Sequence, residues 1–314
     1  MIILDACRYD YFKGVYKSYL YGTLRKALSP ATKTEEWLKS MFRKYYSDIV
    51  YVSANPMINS KMPVWGFDAR KHFCKIIDVW NWGWSEEWGS VPPWEVSDAA
   101  LKALEEFPNK RLIIHYMQPH APYMPIAYVI KDYKIRDPLT LVGLRGLAAA
   151  DDLKTYRGHG MENLYKETSR LLHMLSGLLK ILLPKWIPRQ SLLWRLRKTF
   201  NIPSKSPEEL FYRRFSIREI QLIYELNLRY VLRYVNELVR NILNLNKNLK
   251  IVVTSDHGEL LGERCEIGHD VGHNLPEKYQ LKLREVPWLE VSGIQKLTQW
   301  HGKNPLGMKF AKYF

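Results

Sequence analysis

The sequence predicts an α/β protein with a mainly parallel sheet covered by helices on both faces. Two observations carry this. Short apolar runs at residues 2–4, 48–52, 111–115 and 250–254 alternate with segments of helical spacing. Each run also ends in polar residues (Asp5, Asn55, His120, and the pair Asp256 and His257), and ligands of open α/β sheets gather at such strand ends.

Ile2–Leu4 reads as a buried parallel strand. Ser29 and Pro30 mark a turn, and Thr32 or Thr34 caps a helix running through Trp37, Leu38 and Phe42. Residues 48–52 form the second strand, closed by the turn at 53–56. The Trp-rich stretch 76–94 reads as an irregular loop, followed by a helix at 96–107 and a third strand at 111–115. Residues 124–215 are the least regular part. A long helix over Ile217–Leu245, with Leu222, Leu226, Val231, Val235, Leu238 and Ile242 at helical spacing, precedes the fourth strand at 250–254.

Apolar residues make up 46% and charged residues 25% of the 314, which excludes a largely disordered chain. The net charge of +15 is concentrated: residues 121–250 hold 23 Lys+Arg against 11 Asp+Glu, a net +12. Such a field attracts anionic lipid, glycan or nucleic acid, and no recognised nucleic-acid module accompanies it, so nucleic acid is the weakest of the three. Cys7, Cys74 and Cys265 are odd in number and widely spaced, which argues against a disulfide framework or a zinc knuckle and for reduced thiols in the cytoplasm. No signal-peptide pattern precedes Asp5. The most apolar stretch, 171–183, is interrupted by His173, Ser176 and Lys180, so no membrane span is expected.

Two carboxylates and an imidazole at neighbouring strand ends suit a divalent cation, which makes Asp5, Asp256 and His257 the candidate metal ligands. Arg8 is a candidate substrate clamp or a salt-bridged structural arginine. Asn55 lines the pocket or forms the turn before Pro56. His115 contacts substrate or is a core histidine satisfied by the backbone.

Four blocks extend this reading. Residues 251–263 (IVVTSDHGELLGE), 2–10 (IILDACRYD), 112–125 (LIIHYMQPHAPYMP) and the pairs Gly268-His269 and Val286-Pro287 occur in one order. Together they resemble the sulfatase-like branch of the alkaline phosphatase superfamily, which includes sulfatases and phosphoethanolamine-transferase-like enzymes. The resemblance implies a single three-layer α/β domain over residues 1–314, with residues 124–215 a helical, basic insertion or lid. It also implies a nucleophile at a helix N-terminus that ligates the same metal. Thr34 is favoured, because Thr34-Glu35 resembles the transferase nucleophile turn; Thr32, which heads a capping-box pattern with Glu35, is the alternative. His120 resembles the family histidine that contacts the substrate or leaving group, which implies a general acid, and His269, ahead of the nearby His273, resembles one that binds the substrate anion or a second ion.

The departures from the family shape the expected chemistry. The formylglycine motif of true sulfatases is missing, which moves the expectation from sulfate to phosphate mono- or diesters, split by hydrolysis or transfer. Ala6 stands where sulfatases carry a second carboxylate, and Gln118 where two-metal members carry an Asp. One divalent ion (Zn, Mn or Ca) is therefore expected rather than two. The substrate is an anionic ester, lipid- or glycan-linked, with peripheral membrane contact through the basic middle. The competing expectation is a family member without turnover that holds an anionic polymer or membrane.

Overall fold

Apolar runs without alternation fold as strands whose two faces are both covered. In the computed structural model, which describes residues 1–124, 189–199, 207–269 and 275–297, these runs become the centre of one sheet. The elements are β1 Ile2–Leu4, α1 Tyr9–Val15, β2 Leu20–Leu28, α2 Thr34–Met41, β3 Tyr46–Ser53, β4 Phe73–Asp78, α3 Val79–Trp82, α4 Pro93–Glu106, β5 Arg111–Tyr116, α5 Arg189–Thr199, α6 Pro207–Arg214, α7 Ile217–Leu245, β6 Val252–Thr254, β7 Leu260–Leu261, β8 Ile267–Gly268, α8 Glu277–Arg284 and β9 Glu285–Ile294. The sheet order is β2-β9-β6-β1-β5-β3-β4. The five strands from β6 to β4 are parallel, and β9 runs antiparallel to both β6 and β2.

Successive side chains of a strand point to opposite faces. Ile2, Leu4, Val52, Ile114 and Val253 therefore enter one core, against Val96 and Ala100 of α4 and Leu228, Val231 and Val235 of α7. Ile3, Tyr51 and Ile113 enter the other, against Trp37 and Leu38 of α2 and Phe42 just beyond it. This is the expected three-layer α/β sandwich. The long helix α7 has the predicted bounds and starts with a reciprocal cap: Ser216 Oγ accepts from Glu219 N–H while the Glu219 carboxylate accepts from Ser216 N–H.

Three strands differ from the sequence reading. The stretch read as an irregular loop begins within β4 and continues into α3, with Trp80 and Trp88 buried. Neither β2 nor β9 was expected. Strand β2 lies at the sheet edge, so its sequence carries Arg25 and Lys26 and only a weak apolar alternation. Its pairing with β9 is close at a register shift beside Gly22, where a Cβ would lie 2.2 Å from the Glu290 carbonyl oxygen.

Of the basic insertion at 124–215, residues 125–188 and 200–206 lie outside the described residues, and so does His273. Two of its helices are described. In α5 and α6, Arg197 and Glu209 form a buried ion pair, and Trp194 and Phe211 pack in a cluster with Tyr123 and Tyr224. No described helix is long and apolar enough to cross a membrane.

Candidate metal centre and active site

The adjacency of β6, β1, β5 and β3 brings the polar strand ends together. The turn after β1 is stitched to its neighbours: Asp5 N–H donates to Tyr116 O, His120 N–H to Asp5 O (both 3.1 Å), and Cys7 N–H to Ser255 Oγ (2.8 Å). Ala6 sits at φ +57°, a region costly for a residue with a Cβ. Tyr224 from α7 holds it there, donating its hydroxyl to Ala6 O at 2.7 Å and accepting from Arg8 N–H at 3.0 Å.

Asp5, Asp256 and His257, all buried, each offer an atom within 4.8 Å of the others. Thr34 joins them. It is the first residue of α2, and its hydroxyl leaves the helix end uncapped and donates to Asp256 Oδ2 at 2.7 Å, with His257 Nε2 at 3.3 Å. Thr32 lies before the helix. Its expected capping box with Glu35 does not form, because Lys33 occupies the cap position and makes no side-chain cap bond.

The spare atoms of the three candidate ligands are fixed from behind. His257 Nδ1 is 2.7 Å from Gly258 O, which places the ring proton there and leaves the Nε2 lone pair facing the acids. Asp256 Oδ1 accepts from His257 N–H (2.9 Å) and Ala6 N–H (3.2 Å), and Ser29 Oγ donates to Asp256 O. Asp5 Oδ2 accepts from Asn55 Nδ2 at 2.7 Å, whereas Asp5 Oδ1 has no hydrogen-bond partner among the described residues and lies 3.6 Å from His257 Nε2. Burial raises the Asp5 pKa, but the His115 contact and the fields of His120, His115 and His257 outweigh it and hold this carboxyl well below the usual range. Two carboxylates, an imidazole lone pair and a hydroxyl around an orphaned buried oxygen fit a divalent cation of the zinc or manganese type.

A second donor set lies beside the first. His120, Glu259 and His269 also offer atoms within 4.8 Å of one another, and the His269 ring is 4.4 Å from that of His257 and 5.0 Å from that of His120. Burial, reinforced by His257 and His120, pushes the His269 pKa well below the usual histidine value. A neutral imidazole has a lone pair to offer a cation. His120 Nδ1 contacts Ala121 O. The expectation of a single ion rested on Ala6 and on Gln118, whose amide is turned to Ser90 Oγ, Val91 O and Met124 Sδ. Glu259 was missed in the sequence, although it stands three residues after Asp256, where the turn after β6 returns it to the cluster.

For three residues read either as substrate contacts or as structural, the structure shows structural contacts. Arg8 does not face the site: Nε and Nη2 take Asp10, and Nη1 takes Glu263 and the Glu259 carbonyl, so it clamps the β1 turn to the β7 loop. Asn55 is spent on Asp5 and on Met57 N–H, which makes it both a ligand holder and the turn residue. His115 is buried in the sheet behind Asp5, with Nδ1 2.8 Å from the Tyr51 hydroxyl rather than at a backbone group.

The Arg8 clamp has a pH signature. Burial alone would raise the Asp10 pKa; Arg8 and Lys282 instead bring it from 3.8 to about 2. A depressed carboxylate contributes stability that is present above its unfolded value and lost as the pH falls from about 4 toward 2. Asp10→Asn is therefore expected to flatten the acid limb of urea unfolding midpoints between pH 5 and pH 2, and an unchanged slope would contradict the clamp. Gly258 gives a steric prediction. A Cβ there would lie 2.3 Å from Lys282 O, so Gly258→Ala should cost about 1–3 kcal/mol in chemical denaturation.

No known family profile matches the chain, and no curated protein matches it. Among solved structures it is similar to the soluble domain of lipooligosaccharide phosphoethanolamine transferase A from Neisseria meningitidis, at 12% identity and TM-score 0.40, over 92% of this chain and 75% of that one. The integral membrane form of that protein matches at 12% identity and TM-score 0.41 over 92% of this chain, which spans 47% of the longer protein. The C-terminal periplasmic domain of phosphoethanolamine transferase EptC from Campylobacter jejuni matches at 12% identity and TM-score 0.37, over 92% and 76%.

Proposed function

We propose that this chain is an alkaline phosphatase-like enzyme that depends on a divalent metal and hydrolyses or transfers a phosphate mono- or diester through Thr34. The observation that carries this reading is the Thr34 hydroxyl, shared between Asp256 Oδ2 and His257 Nε2 at the first residue of a helix.

Asp5 Oδ1, Thr34 Oγ1, Asp256 Oδ2 and His257 Nε2 are the atoms that would hold the ion. When bound, a divalent cation polarises an ester oxygen and favours the deprotonated hydroxyl. The chain does the rest. The Thr34 hydroxyl donates to Asp256 Oδ2, which fixes the direction of its oxygen; with a cation bound, its proton would pass to solvent. The α2 N-terminus sets its free N–H groups and dipole toward the incoming anion. As Thr34 Oγ1 bonds to phosphorus, the bond to the leaving oxygen breaks, and a protonated His120 Nε2 donates to that oxygen. Water or an acceptor alcohol then takes the phosphoryl group from Thr34, giving its own proton to His120, and the Thr34 oxygen regains a proton from solvent. A threonine at this position, with no formylglycine motif, favours phosphate over sulfate. The insertion at 124–215 is the proposed lid, and its basic charge suits an anionic lipid- or glycan-linked ester.

The test is a metal screen. Chelator-stripped protein is reloaded with Zn, Mn or Ca and assayed on an aryl phosphate, an aryl phosphodiester and an aryl sulfate. Metal-dependent turnover of a phosphate ester supports the reading. Equal rates without metal, or turnover of the sulfate alone, would overturn it.

A further inference from the structure

Behind Asp5 lies a buried polar chain that the reaction above does not use. Tyr51 on β3 and His115 on β5 are both fully buried, and their strands pair directly, Ser53 opposite His115. The Tyr51 hydroxyl is 2.8 Å from His115 Nδ1 and makes no other hydrogen bond among the described residues. His115 Nε2 has no hydrogen-bond partner there, and it faces Asp5 Oδ2 at 3.6 Å. Burying polar atoms without partners is costly, so such an arrangement calls for a reason.

The direction of the first bond follows from proton counting. A tyrosine has one hydroxyl proton, and His115 Nδ1 is the acceptor within its reach. If Nδ1 instead carried the ring proton, the tyrosine proton would have no acceptor among the described residues, and the Nε2 lone pair would face a carboxylate oxygen. With Tyr51 donating, the ring proton sits on Nε2 and points at Asp5 Oδ2. That oxygen already accepts from Asn55. Asp5 Oδ2 is thus hydrogen-bonded by Asn55 and faced by the proton-bearing His115 Nε2 at 3.6 Å, and Oδ1 is left facing His257 and Asp256.

We propose that Tyr51 and His115 are positioning residues: Tyr51 sets the His115 tautomer, and His115 orients Asp5 so that Oδ1 is the oxygen presented to the metal. The role in metal binding rests on the metal-dependent reading above; the tautomer does not. Groups that orient a ligand commonly change metal affinity by about 10–100-fold when removed.

Two measurements test this without using activity. Long-range proton–nitrogen NMR on the wild-type protein should find His115 protonated on Nε2, and Tyr51→Phe should erode that preference. Zinc affinity, read by competition with a chromogenic chelator, should fall about tenfold or more in Tyr51→Phe. His115→Gln, whose amide nitrogen offers a donor near the Nε2 position, should bind zinc more tightly than His115→Ala. Tyr51→Phe keeps the ring that packs against Phe42 and Phe73, so its fold is expected to persist, checked by thermal unfolding. A wild-type Nδ1–H tautomer overturns the relay. So does wild-type zinc affinity in a folded Tyr51→Phe. Wild-type protein that binds no zinc, manganese or calcium would instead sink the metal reading, and the tautomer measurement would still decide the relay.

Discussion

Replacing Thr34 by alanine is expected to lower phosphate-ester turnover by about 10³-fold or more, while zinc binding falls far less. The reason is chemical. Of the two threonines proposed from sequence, Thr34 has its hydroxyl on Asp256 Oδ2 and beside His257 Nε2, at the mouth of α2. Deleting the hydroxyl removes the atom that would bond to phosphorus, whereas Asp5, Asp256 and His257 keep three of the four metal contacts. Thr34→Ser restores a hydroxyl with a freer rotamer and should recover part of the rate. Thr32→Ala should lie within a few-fold of wild type. Acid-quenched turnover followed by peptide mass spectrometry should find phosphate on the peptide holding residue 34. A Thr34→Ala protein within tenfold of wild type would remove Thr34 as the nucleophile.

Asp256→Asn should abolish metal-dependent activity together with the zinc-induced rise in melting temperature. The metal-free variant should be no less stable than metal-free wild type. Asparagine keeps the Oδ1 acceptor used by His257 N–H and Ala6 N–H, while the buried negative charge beside Asp5 disappears. Two carboxylates confined without a cation repel each other, so removing one charge relieves the empty site and removes the loaded one. Calorimetry with and without zinc reads both effects. Undiminished zinc stabilisation in Asp256→Asn would show that this aspartate is not a ligand, and a large loss of stability without metal would show that its charge is needed for folding.

The sequence by itself determined the parallel centre of the sheet, the bounds of the long helix and the positions of Asp5, Asp256 and His257. Those features are local: an apolar run with a polar end, a helical period with its cap, a ligand pair within one loop. It did not determine β2 and β9, because an edge strand carries little apolar signal and its partner was legible only in Val286 and Pro287. Only the tertiary structure shows a contact that distinguishes Thr34 from Thr32, since the Thr34–Asp256 bond joins residues 222 positions apart. The same holds for Arg8, whose salt-bridged alternative gains its partners, Asp10 and Glu263, only in the fold. Glu259 and Tyr51 could be placed only once the turn after β6 and the pairing of β3 with β5 were known. A strand end states which residues are available. Strand order decides which of them meet, because hydrogen bonds of under 3 Å depend on a register that no local pattern encodes.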